Sequence, residues 1–181
     1  GRKIEYYLYP LSSNEMIKHL GEREESRLIE NRLIYGMYPE VISNPGKEKE
    51  ILKNLTSSYL YKDIFTFQEF RKPFIIDKLL RAVALQISSE VSNHELARLV
   101  GVDSTTIERY LGLLERAFII FRLHSLSRNM RNELKKSRKI YFYDNGVRNA
   151  LISNYNSLEI RNDKGPLWEN FLVSERVKFL H

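Results

Sequence analysis

Four histidines, His19, His94, His124 and His181, are the side chains best suited to proton or metal chemistry near neutral pH, and their spacing supports neither. No two of them stand three or four residues apart, and no carboxylate pair completes a ligand set around any of them. They read as ordinary surface or capping residues. Glu22, Glu24 and Glu25 crowd one stretch as a solvated helix face, not as an acid/base pair. With no cysteine, disulfides, thiolate metal sites and cysteine nucleophiles are excluded, which suits a reducing compartment. A Gly-x-x-x-x-Gly-Lys-Ser/Thr loop for nucleotide phosphates and a Gly-x-Ser-x-Gly nucleophile elbow are both missing. The sequence therefore predicts no catalytic residue, no cofactor and no metal within this chain.

What remains is electrostatic chemistry. The net charge is +6, and all of that excess sits in one place. Arg122, Arg128, Arg131, Lys135, Lys136, Arg138 and Lys139 fall within 18 residues that hold a single acid, Glu133. A balanced body with one basic strip points to a directed contact with an anionic partner.

The elements that would position this strip can be read from periodicity. Ile4 to Leu11 reads as a strand ended by Pro10. Ser12 or Ser13 caps a helix carrying Met16, Ile17 and Leu20, and a charged helix follows from Glu22 to Tyr35, stopped by Gly36. Tyr38-Pro39-Glu40-Val41 and Asn44-Pro45-Gly46 read as turns. Ile51, Leu52, Leu55 and Tyr59 line a helix over 47–65, and Lys72-Pro73 is the expected domain boundary. Ile76 to Ser88 is a helix. Ser92 to Glu95 has the pattern of a capping box opening a helix to Val100. Gly101 turns the chain, and Asp103 caps a helix from Ser104 to Ala117 that buries Ile107, Tyr110, Leu111 and Leu114. A short helix, a glycine turn and a longer helix make a helix-turn-helix. The strand-like runs Phe118–Leu123 and Lys139–Tyr143 flank the basic stretch as a wing, closed by a turn at Asp144-Asn145-Gly146. Tyr6, Tyr7, Tyr9, Tyr141, Phe142 and Tyr143 read as sheet core. The expected fold is mainly α with a small antiparallel β-wing: a helical region over 1–72, a winged helix-turn-helix over 73–145, and a linker and helix over 146–181.

Two uses of such a module are open. In the first, the helix from Ser104 enters a DNA major groove, with Ser104, Thr105 and Arg109 at base edges and phosphates, while Arg128, Arg131, Lys135, Lys136, Arg138 and Lys139 contact the backbone without sequence preference. In the second, Glu108 and Glu115 spoil that helix for phosphates, and the module makes a protein contact. No apolar run approaches the ~20 residues needed to span a bilayer, and Gly1-Arg2-Lys3-Ile4-Glu5 leads into an aromatic run with no signal-peptide pattern. The expectation is a cytoplasmic protein without a membrane partner, for which an oligomer is possible.

Several segments resemble a known family. Gly1-Arg2, Tyr9-Pro10-Leu11-Ser12 with Glu15, Tyr38-Pro39-Glu40-Val41 and Leu60-Tyr61-Lys62-Asp63-Ile64 are similar, in order, to the AAA-type ATPases of archaea and bacteria that carry domain of unknown function 4143. So are Ser92 to Gly101 with Thr106, Tyr110 and Leu114-Glu115, then Ser127-Arg128-Asn129, Lys139 to Gly146, Arg161 to Gly165, Leu167 to Asn170, and Glu175. The resemblance implies a parent with an ATP- and Mg-dependent ATPase core before this region and a PD-(D/E)xK nuclease-like domain after it. Residues 1–72 would then be the end of the core and a helical lid, and 146–181 would reach the first helix of the nuclease-like domain. The module would bind DNA or couple the core to the C-terminal domain. Arg2 would follow the core, although an ordinary surface arginine is the simpler reading.

Overall fold

The computed structural model describes residues 8–59, 73–124 and 138–180. Within them the chain is mainly helical with one small antiparallel sheet. The N-terminal part is a succession of short helices: α1 (Ser13–Leu20), α2 (Glu22–Arg27), α3 (Ile29–Tyr35), α4 (Pro39–Ser43) and α5 (Glu48–Asn54), the last continuing as a π-turn over Leu55–Tyr59. Then come α6 (Pro73–Leu85), β1 (Glu90–Val91), α7 (Asn93–Val100), α8 (Ser104–Arg116), β2 (Ile120–His124), β3 (Arg138–Phe142), α9 (Asn145–Leu151), a 3-10 turn (Leu158–Ile160) and α10 (Lys164–Leu180).

Local chemistry explains most of these boundaries. Ser12 and Glu15 form a reciprocal capping box on α1. Ser92 caps α7 through the Glu95 amide at 3.1 Å, and Asp103 caps α8 through the Thr106 amide at 2.8 Å. Gly101 closes α7 in the left-handed conformation. Asn44-Pro45-Gly46 is a turn as expected, but Tyr38-Pro39-Glu40-Val41 is not: Pro39 begins α4, because a first-turn residue has no intrahelical partner for its amide and proline loses nothing there. The charged run over 22–35 breaks at Leu28 into two helices. Asp144-Asn145-Gly146 is not a turn but the start of α9, with Asp144 accepting from the Val147 amide at 3.0 Å. Leu8 to Leu11 is not a strand, and the rest of that expected strand lies outside the described residues, as does the end of the helix expected over 47–65.

In the sheet, β3 is central, with β1 on one side and β2 on the other. Ile120 faces Phe142, Arg122 faces Ile140, and Leu123 faces Lys139. One core lies between this sheet and α6 to α9, built from Leu79, Leu80, Val83, Leu96, Ile107, Leu111, Leu114, Ile140, Phe142 and Val147. A second gathers Met16, Leu33, Ile34 and Met37 with Leu167 and Phe171 of α10.

Polar groups on α9 stitch the two together. Asn149 is fully buried, and its amide nitrogen donates to the carbonyls of Leu33 and Ile34 at 3.1 and 2.8 Å. Its amide oxygen accepts from Arg148 and Arg161 at 3.1 and 2.8 Å. Arg148 Nε also donates to the Ala84 carbonyl at 2.7 Å. Both guanidinium groups converge on Asp163. Burial pushes the Asp163 carboxyl up, but hydrogen bonds from Arg161 and Arg148 outweigh it and hold the group at about 2. Replacing Asn149 by alanine leaves two carbonyls and two guanidinium N–H groups short of partners. It should cost roughly 3 kcal/mol in urea unfolding, against about 0.5 kcal/mol or less for Asn156→Ala on the surface.

Candidate nucleic-acid interface

The described residues of the basic strip, Arg122, Arg138 and Lys139, do not all share one face in the folded chain. Successive residues of a strand point to opposite faces, so Arg138 and Lys139 cannot share one contact. Arg138 lies on the face of the sheet that also carries Arg122, toward α8. Lys139 lies on the other face, where its ammonium donates to Glu169 of α10 at 2.8 Å beside the Tyr141 hydroxyl, which donates to the same carboxylate at 2.7 Å. Burial and that neighbouring carboxylate push the Tyr141 hydroxyl up, and no phenolate forms there at neutral pH.

On the near face, Arg122 and Arg138 meet the two acids of α8. Arg122 forms a two-pronged pair with Glu115 at 2.9 and 2.6 Å, and its remaining nitrogen donates to Glu108 at 2.8 Å. Arg138 donates to both oxygens of Glu108 at 2.9 and 3.0 Å, and Asn93 of α7 adds a bond at 2.7 Å. Burial raises the Glu108 carboxyl, but Asn93, Arg122 and Arg138 together outweigh it and hold the group at about 2. Glu108 and Glu115, read from the sequence as exposed acids on the helix surface, are turned sideways onto the sheet. Arg138 and Lys139, read as phosphate contacts, are committed to carboxylates of this chain.

What α8 keeps on its outer side is different in character. Thr105, Arg109 and Arg116 are exposed, and Gly112 is half-buried among them. At about 100° per residue, these four fall within about 60° of one another around the helix axis. Ser104, at the first turn, is half-buried and sits 3.1 Å from His94 Nδ1 of α7. The Arg109 guanidinium lies over the ring of Tyr110 at 5.3 Å. Ser104, Thr105 and Arg109 are thus brought to one end of one helix. Arg128, Arg131, Lys135 and Lys136 lie outside the described residues.

Sequence reading missed the Glu108–Arg122–Arg138–Asn93 cluster. Its signal was present: Glu108 and Glu115 are seven apart, on one flank of the helix, and Arg122 and Arg138 share the strand parity of the buried Ile120, Ile140 and Phe142. Among the described residues there is no group of three or more histidines, aspartates or glutamates placed to hold a metal ion, and no helix long and apolar enough to cross a membrane.

Comparison with known proteins places the chain elsewhere than the sequence segments suggested. A sequence model for the family described as "Domain of unknown function (DUF8612)" matches residues 26–159. A Haemophilus influenzae protein, described only as uncharacterized, is 29% identical over 162 residues, which is 84% of this chain and 40% of that protein. Uncharacterized proteins of Mycobacterium tuberculosis and Mycobacterium bovis are each 34% identical over 91 residues, 49% of this chain and 21% of theirs. The chain therefore spans well under half the length of these relatives. No solved structure matches it. The resemblance to AAA-type ATPases with domain of unknown function 4143 is corrected by these matches; the ATP and Mg of a parent and the lid and nuclease-like labels rested on that resemblance alone. The segments that carried the resemblance have a physical explanation. Asp144, Asn145, Arg161, Asp163 and Asn170 are buried or half-buried polar residues whose hydrogen bonds hold α9 and α10 in place, a packing requirement that specifies no reaction.

The Glu108 cluster makes the fold sensitive to acid. Its folded-state value of about 2 lies below the ordinary carboxylate value of 4.5. The stabilisation it brings is therefore present above about 4.5 and is lost as pH falls from there through about 2. The urea midpoint should drop over that window, and Glu108→Gln should be less stable at pH 7 with a shallower acid dependence. An unchanged pH profile in the variant would mean that the cluster contributes nothing.

Proposed function

The chain belongs to the family described as "Domain of unknown function (DUF8612)", and we propose that within it this region is a non-catalytic, cytoplasmic DNA-binding module of the winged helix-turn-helix type. In this reading α7, the Gly101 turn and α8 are the helix-turn-helix, and β2 and β3 are the strands of the wing. Helix α8 lies in the major groove with Ser104, Thr105 and Arg109 toward base edges and phosphates. One observation carries the proposal: both acids of α8 are withdrawn onto Arg122 and Arg138. The sequence objection to groove binding was that Glu108 and Glu115 would repel phosphates. With each carboxylate matched by guanidinium charge, the outward stripe of the helix carries cations and hydroxyls and no acid. Arg128, Arg131, Lys135 and Lys136, which stand between β2 and β3 in the sequence, supply further phosphate contacts. Arg138 and Lys139 do not, since they are committed within the chain.

Duplex binding of this kind is dominated by counterion release and is largely independent of sequence. Fluorescence anisotropy with a 20-base-pair duplex should give a micromolar Kd at low salt, with log K falling against log salt at about 0.9 per phosphate neutralised. Arg109→Ala should weaken binding by about fivefold or more and lower that slope by about one. Replacing Arg128, Arg131, Lys135 and Lys136 by alanine should weaken it further. If the protein does not retain a duplex even at low salt, the proposal fails, and a protein partner for the same face becomes the better account.

A further inference from the structure

Gly112 stands in the interior of α8, a position where glycine is the poorest helix former after proline. Other glycines of the described residues answer to the fold. Gly21, Gly36, Gly46 and Gly101 have positive φ, and a methyl group on Gly36 or Gly146 would collide with Asp144 or with the Tyr35 carbonyl. Gly165 is the second residue of α10, where a helix is still forming. Gly112 has helical backbone, and a Cβ built on it meets nothing within 4 Å. Nothing inside the described molecule requires the missing side chain, and alanine there would favour the helix. A residue that weakens its own helix without serving its own core is explained by something that approaches from outside.

The surroundings identify what that is. Gly112 shares its stripe with Arg109 three residues before it and Arg116 four residues after it, both exposed. The two carboxylates nearest in sequence, Glu108 and Glu115, are held by Arg122 and Arg138 on the flank. A half-buried patch of helix backbone one turn from the exposed Arg109 guanidinium, with the neighbouring acids paired, complements a chain of phosphates. We propose that Gly112 is the point of closest approach between α8 and a DNA strand, where the absent side chain lets the sugar-phosphate backbone lie against the helix one turn from Arg109. This rests on the reading of α8 as the DNA-binding helix, and it adds a residue that the charge pattern alone does not select.

The experiment separates stability from binding in the same variants. Gly112→Ala and Gly112→Gln are compared with the wild type by thermal unfolding and by anisotropy with the 20-base-pair duplex. Gly112→Ala should raise the Tm by about 2–4 °C, since it improves the helix and touches nothing. Its duplex affinity should fall severalfold, and that of Gly112→Gln by tenfold or more, with the salt slope reduced. A lower Tm for Gly112→Ala would show that the fold itself needs the glycine, and the inference would be overturned. Wild-type-like duplex binding by both variants would also overturn it while leaving the DNA-binding reading intact. Absence of duplex binding by the wild type is a failure of that reading and removes this inference with it.

Discussion

Arg148 and Arg161 share a single carboxylate, Asp163, and a single amide oxygen, that of Asn149. Taking two guanidinium charges out of water costs several kcal/mol each unless every remaining donor finds an acceptor. That condition reaches well beyond the four residues. Arg148 takes the carbonyl of Ala84 at the end of α6, Arg161 takes that of Asn154, and Asn149 donates into the carbonyl end of α3. Three stretches of chain that are distant in sequence must therefore be in register before either arginine can be buried. The same logic recurs at Asn170, which pairs with both the amide and the carbonyl of Phe142 and so holds α10 along β3.

The candidate interface inherits its geometry from this network. Helix α9 follows β3 directly through Asp144, which is buried and also accepts the Met37 amide at 2.7 Å. Fixing α9 fixes β3, and β3 sets which way Arg138 and Lys139 point. From there, Arg138 and Arg122 hold Glu108 and Glu115 off the outer face of α8. The basic strip thus divides its labour. Part of its charge neutralises the helix so that the outer stripe can carry a positive potential, and Lys139 serves the packing of α10.

This division also explains how short sequence signatures can mislead. Asp144-Asn145, Arg161 with Asp163, and Asn170 are buried or half-buried polar residues whose side chains bond to other elements of the fold. They mark a structural junction, of which the family match over residues 26–159 includes Asp144 and Asn145, and the relatives are described by no activity.

Much of the local structure was legible from residue types alone. The caps at Ser12, Ser92 and Asp103, the stop at Gly101, the apolar stripes of α6 and α8 and the two strand runs depend on neighbours within one or two turns, and those interactions form wherever such residues occur. The absence of a P-loop and of cysteine chemistry is equally a property of the sequence. Three things were settled only by tertiary structure. Pro39 opens a helix because it sits at the first turn, where its missing amide proton has no intrahelical partner to lose. The run after Asp144 is a buried helix because Leu33, Ile34 and Leu167 offer carbonyls to its asparagines. The strip of positive charge is partly spent inside the molecule because strand parity sends Arg138 to one face and Lys139 to the other, toward acids 30 residues away in either direction. A count of charges along the chain reports how much charge there is, and pairing across the fold decides how much of it faces a partner.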